Sequence, residues 1–444
     1  MKRFSILVVV AIIAALAIPA VSAQGITWTS GFQVQNLSAT TAAITVTYYR
    51  QSDGLVQATV PDTIGGSSSK TYFPLTAVPD GFNGSVVVSS DQPVVAIANT
   101  LGNTTQYAAS TESFSAGAST VQLPLIMRGN SGYYTWFNVQ NVGTSDASVT
   151  VAYKRGSDGT DYTAPAVTVK PGAAFTFDQR DLTQLGSKFI GSAVVTSSQP
   201  IVATVMQVGE TYQNMMGYNG FTGGSTKVSM PLIMANNSGY YTGFQVQNVG
   251  GSTANITIQY GTNILGSFTP STETASLAPN ESKTFIQAGG MWTEQYVGSA
   301  TITSNQPVVA IVNQVKMTPP VLGTAYNGFN PDAATDKISA PLIMNANSGY
   351  YTGFQVMNVG TSSTTITISY GPNSGGSYAP APETATIGPN NSYNSIQAAN
   401  WGGNKYIGSA TVTASGGGKV VMIVNQINPA IAGDQFMTYD GFNY

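Results

Sequence analysis

Apolar and polar residues alternate with a period of two along most of this chain. Phe244 and Val246 alternate with Gln245 and Gln247, and Ile256, Ile258 and Tyr260 alternate with Thr257 and Gln259. Such alternation predicts strands with one buried and one wet face. The pattern returns as Ile366, Ile368 and Tyr370, as Val149, Val151 and Tyr153, and as Ile44, Val46 and Tyr48. A nearly continuous apolar run, QPVVAIVNQ at 306–314, predicts a central strand, and QPVVAIANT, QPIVATVMQ and KVVMIVNQI are its counterparts. Turn signals fall between the runs, among them Ser52-Asp53-Gly54, Ser157-Asp158-Gly159 and Gly371-Pro372-Asn373. After the first residues, no stretch carries a convincing helical period.

The strands belong to a repeat. Phe32, Phe137, Phe244 and Phe354 occupy one equivalent position, and Gly84, Gly191, Gly298 and Gly408, each followed by Ser, occupy another. A period of 105 to 110 residues is domain size, far above that of solenoid repeats. Short strands at regular spacing in such units predict an all-β fold of four tandem immunoglobulin-like β-sandwich domains in a row. The expected boundaries are 24–120, 121–226, 227–336 and 337–444.

Three copies open on one motif: PLIMRGNSGYYTWFNVQNVG from Pro124, PLIMANNSGYYTGFQVQNVG from Pro231 and PLIMNANSGYYTGFQVMNVG from Pro341. The first copy has only GITWTSGFQVQNLS, and ESF at Glu112 to Phe114 where the others have YNGF or YDGF. PLIM, an aromatic pair, a GFQVQN-type strand, IGSAVVTSSQPIVA and YNGF together resemble tandem immunoglobulin-like repeats in secreted proteins of filamentous bacteria, especially the Chloroflexi. The resemblance covers essentially all of the chain after its first residues. It implies an extracellular, cell-surface or matrix protein and brings no catalytic residues.

The beginning changes the picture. Met1, Lys2 and Arg3 precede an apolar run from Ile6 to about Pro19, and Val21 and Ala23 flank Ser22. This reads as a secretory signal peptide, residues 1–23, cleaved after Ala23; the run is shorter than the roughly 20 residues of a spanning helix. No membrane span is expected in the mature chain. The whole chain carries 16 Lys and Arg against 19 Asp and Glu, and the mature chain 14 against 19. A charge-poor, weakly acidic surface excludes nucleic acid as a partner.

The chain contains no His and no Cys. Triad and thiol catalysis, common zinc sites and disulfides are therefore excluded, and neither a cofactor nor an enzymatic activity is expected. Glu273 and Glu383 are equivalent acids beside predicted turns and read as solvated strand-edge groups, while Asp158 and Asp161 read as turn residues rather than calcium ligands. Trp28, Trp136, Trp292 and Trp401, with Tyr133-Tyr134, Tyr240-Tyr241 and Tyr350-Tyr351, offer flat rings for a glycan, although one Tyr of each pair should face the core. The Tyr218, Tyr326 and Tyr439 motifs read as tight turns that dock two rings on the core.

The missing motif carries the functional expectation. Three junction strands, with Leu125, Ile126 and Met127, Leu232, Ile233 and Met234, and Leu342, Ile343 and Met344, serve four copies. One terminal domain is then a strand short, and its open edge invites another chain. The expected donor is the mature N-terminus, with Gln24, Ile26 and Trp28. Inserted into the fourth domain of a second copy by strand addition, it would build a head-to-tail filament. Tyr439, Phe442 and Tyr444 are the acceptor, or else close their own domain. The expected partners are the chain itself or other cell-surface proteins. The alternative is a monomeric adhesin or carbohydrate-binding protein using exposed Tyr and Trp.

Overall fold

The computed structural model describes residues 27–102 and 107–444, and the backbone of 8–12. The chain is all-β: among the described residues helix is confined to Gln397–Trp401 and three single 3-10 turns. The alternating strands of each copy sort into facing layers. In the first copy one layer runs Val8–Ile12, Gly84–Ser90, Ala42–Arg50, Val56–Ile64, and the other Ser69–Tyr72, Trp28–Asn36, Val94–Gly102, Tyr107–Glu112. Phe32, Val34, Ile44, Val46, Val88 and Ala96 meet between them in one buried cluster, each large side chain contributing roughly 1.5 to 3 kcal/mol. The fourth copy repeats both layers. In the second and third, one 21-residue strand, Phe189–Gly209 or Tyr296–Lys316, runs through both layers and joins them.

The junction strands belong to the copies that follow them. Ala118–Arg128 pairs with Phe189–Gly209, Ser225–Ala235 with Tyr296–Lys316, and Lys337–Asn345 with Tyr406–Ala414. Ile126, Ile233 and Ile343 lie opposite the repeated Gly191, Gly298 and Gly408. The first copy is thus the one without its own opening strand. Its edge, Gly84–Ser90, is covered by Val8–Ile12 in a register from Val8 opposite Ser90 to Ile12 opposite Val86. This apolar N-terminal segment therefore lies where residues 120–123, just ahead of PLIM, lie on Phe189–Gly209 in the second copy. The Gly- and Ser-rich segment 222–230, which reads as a linker, lies largely inside the strand Ser225–Ala235.

The copies do not lie in a row. Ile311 of the third copy is buried in the hydrophobic cluster of the second, Ile423 of the fourth in that of the third, and Ile97 of the first in that of the fourth. These three isoleucines are equivalent positions of the central apolar run. The same face of each copy therefore packs on its predecessor, and the first copy packs on the last. The inner strands Tyr107–Glu112, Asn214–Asn219, Leu322–Asn327 and Phe436–Asp440 touch in cyclic order. The result is a closed ring with an approximate four-fold axis. A row would leave the outer apolar face of each central run in water, which is what ring closure removes.

Candidate functional site: an axis, a clamp and three grooves

Polar groups line the axis. Glu112, Asn219, Asn327 and Asp440 are equivalent residues at the ends of the inner strands; Glu112 and Asn219 are buried, Asn327 and Asp440 half-buried. Asn219 donates its backbone N–H to Asn327 Oδ1 at 3.1 Å, and Asn327 Nδ2 returns a bond to the Asn219 carbonyl at 2.7 Å. Asn219 Nδ2 donates to the Glu112 carbonyl at 2.9 Å, and the Asp440 N–H donates to Glu112 Oε1 at 2.8 Å. Two amides and two carboxyls thus share one small circle. Burial pushes the Glu112 carboxyl up to about 7. Burial and the facing Glu112 push Asp440 well above the usual carboxylate range, and Asp440 Oδ1 has no hydrogen-bond partner. Asp434, also buried, accepts backbone N–H groups from Met215, Gly323 and Phe436 and so ties three copies together.

Amide pairs seal three of the four junctions: Gln207 with Asn313 at 2.9 Å, Gln314 with Asn425 at 3.0 Å, and Gln426 with Asn99 at 3.0 Å. The equivalents between the first and second copies are Thr100 and Met206. There an apolar cluster with Tyr107, Trp136, Met206 and Met215 replaces the amides.

The opening strands are clamped by the YNGF tyrosines. Tyr218, Tyr326 and Tyr439 donate their hydroxyls to the carbonyls of Leu125, Leu232 and Leu342 at 2.7, 2.7 and 2.6 Å. Thr135, Thr242 and Thr352 accept the N–H of Met127, Met234 and Met344 at 3.1 Å each. Both clamps are absent from the first copy, where Thr111 and Ser30 stand in those positions. The copy without PLIM has also lost the side chains that hold PLIM.

At three junctions this leaves a groove. Leu125 and Met127 face Gly243 and Ile286 across a cavity of about 370 Å³; Leu232 and Met234 face Gly353 and Ile396 across about 550 Å³; Leu342 and Met344 face Gly31 and Phe73 across about 280 Å³. No charged side chain lines any of the three.

The residues singled out in the sequence fall as follows. The Leu, Ile and Met of all three junction strands are buried. Gln24 and Ile26 lie outside the described residues. Trp28 sits in the strand Trp28–Asn36, opposite Gly102 of its own copy. Tyr439 is core, Phe442 pairs with Ser339 of its own opening strand, and Tyr444 is exposed. The fourth copy thereby closes its own edge. Trp136, Trp292 and Trp401 are buried and present no exposed ring to a glycan. Glu273 and Glu383 are not simply solvated: they accept the Tyr260 and Tyr370 hydroxyls at 2.5 and 2.6 Å. Asp161 and Asp158 pair with Lys154 and Lys188. Among the described residues no helix is long and apolar enough to cross a membrane. The grooves, Asp434 and the axial carboxyls escaped sequence reasoning. One signal was available, since YYTWF at 133–137 departs from the YYTGF of the next two copies.

No family model matches the chain, and no curated protein does. Among solved structures, the crystal structure of Thermotoga maritima 1070 aligns at 18% identity over 24% of this chain and 94% of that one, with a TM-score of 0.21. An allantoicase aligns at 7% identity over 55% and 78%, TM-score 0.12. A glycoside hydrolase of family 32 from Bifidobacterium adolescentis aligns at 8% over 91% and 98%, TM-score 0.12. Scores this low establish neither a shared fold nor a shared activity.

Proposed function

We propose that this chain is an exported, non-enzymatic structural protein of the bacterial cell surface or extracellular matrix. It is built of four immunoglobulin-like domains closed into a ring, and it assembles with a second copy through the first of them. The observation that carries this reading is the edge Gly84–Ser90, covered among the described residues by Val8–Ile12 from the apolar leader. Cleavage after Ala23 removes that cover and leaves a row of unpaired backbone groups, a template for strand addition.

The fourth domain is no acceptor, because Lys337–Asn345 and Phe442–Asn443 already close its edge. That redirects the filament expected from the sequence. The N-terminal segment before Trp28 and the open edge both belong to the first domain, so exchange between two chains is reciprocal and closes on a two-fold axis. The test compares residues 24–444 with the uncleaved chain by mass in solution and electron microscopy. Paired rings from the cleaved chain, and single rings from the uncleaved one, are expected. Single rings from both at high concentration would remove assembly from the reading, leaving a capped monomer.

A further inference from the structure

The fourth junction shows what the other three lack. At the position of Gly31, Gly243 and Gly353 the second copy carries Trp136, and its side chain is buried against Tyr107, Met206 and Met215, with Trp28 and Val208 beside them. Met206 and Val208 are the equivalents of Asn313 and Val315, which line the groove above Gly243. Where the opening strand is missing, the chain fills the groove with its own indole.

The lips change in step. Phe73, Ile286 and Ile396 are 60%, 56% and 49% exposed beside the open grooves. Their equivalent beside the filled one is Asp178, paired with Arg180 at 2.5 Å. An apolar lip is thus kept in water only where the floor is glycine. Glycine within a strand costs stability and marks close approach of another group, and exposed apolar side chains rimming a concave site mark binding. At Gly31 the approach is already visible. The Phe73 ring lies 3.0 Å from where a Cβ would stand, and that groove is the smallest. Above Gly243 and Gly353 a Cβ would meet nothing closer than 3.4 Å.

We propose that the grooves above Gly243 and Gly353 each bind a small, neutral, planar aromatic molecule of about indole size. Neutrality follows from linings without a charged side chain. Planarity and size follow from Trp136 and Phe73, which cover the equivalent glycine positions elsewhere in the ring. The grooves run along the packed junctions between copies, so the ligand is held by two copies at once. This site is independent of strand addition at the first copy.

The test uses the full chain and indole as probe, read by calorimetry. Two saturable sites per chain are expected, falling to one in Gly243→Trp or in Gly353→Trp and to none in the double variant. Because a new indole can perturb packing, the exposed lips supply a second pair: Ile286→Asp with Ile396→Asp should weaken binding at least tenfold while thermal unfolding stays unchanged. An acetylated, amidated tryptophan tripeptide forms the other arm. Indole binding at least as tightly as the peptide supports a small-molecule site. Saturable binding of the peptide alone, no saturable binding of either, or a stoichiometry unchanged in the double glycine variant would overturn the proposal.

Discussion

At the scale of single residues the ring's axis is a natural experiment. Four equivalent positions hold Asn219, Asn327, Asp440 and Glu112, and only the amides can both accept a backbone N–H and donate to a backbone carbonyl. Asp440 can do so only when protonated. Burial holds both carboxyls above their ordinary values, Glu112 at about 7. A carboxyl whose folded pKa is raised contributes stability that is fully present below its unfolded value, near 4.5 for Glu112, and is lost as pH rises through about 7. The contact between the fourth and first copies should therefore weaken from pH 4.5 to 7. Asp440→Asn copies the second and third copies, and is expected to stabilise the protein at pH 8 by about 1 to 3 kcal/mol and to flatten that dependence. Thermal unfolding of both proteins at pH 5 and pH 8 measures it. A variant less stable than the parent at pH 8 would mean that the carboxylate is needed as such.

At the scale of elements, the opening strand explains several substitutions at once. The first copy lacks PLIM, and with it the tyrosine and threonine that hold PLIM; the copy facing it carries Trp136 in place of glycine and Thr204 in place of isoleucine. One lost strand accounts for all four. Amide hydrogen exchange over Gly84–Ser90 should accordingly be slow in the uncleaved chain and at least tenfold faster in residues 24–444, while the paired strand Ala42–Arg50 stays protected. Equal exchange in the two would mean that Val8–Ile12 does not cover this edge. The strands themselves were legible, because alternating Phe244, Val246, Ile256 and Ile258 state which face is wet. The count of PLIM motifs pointed to a terminal copy being short. What occupies the slot was not legible, since an apolar leader reads as an export signal and its pairing partner lies more than 70 residues away. Trp136 was visible as a letter but read as a surface ring, because adjacent aromatic residues do not say which of them meets a neighbouring copy.

At the scale of the whole molecule, the sequence concealed closure for a physical reason. A central apolar run states that both faces of its strand are covered, but not by what. Ile97, Ile311 and Ile423 read as core of their own copies and belong to the core of the copy before, Ile97 to that of the last. In a ring every copy packs on two neighbours, and the position of the chain break becomes arbitrary. The second copy passes from Phe221 to the opening strand at Ser225 within a few residues, and Phe442–Asn443 ends in the same place in the fourth copy. A permuted chain that begins at residue 227, joins Tyr444 to Val8 through about four flexible residues, and ends at residue 226 should therefore close into the same ring. It also ties the strand Val8–Ile12 to the fourth copy as the other opening strands are tied. Equal sedimentation and a single unfolding transition, within a few degrees of the parent, are expected. Copies in a row would instead give a longer particle and an early transition, because cutting at 226 would part the second and third copies while the new join linked two ends that had never met.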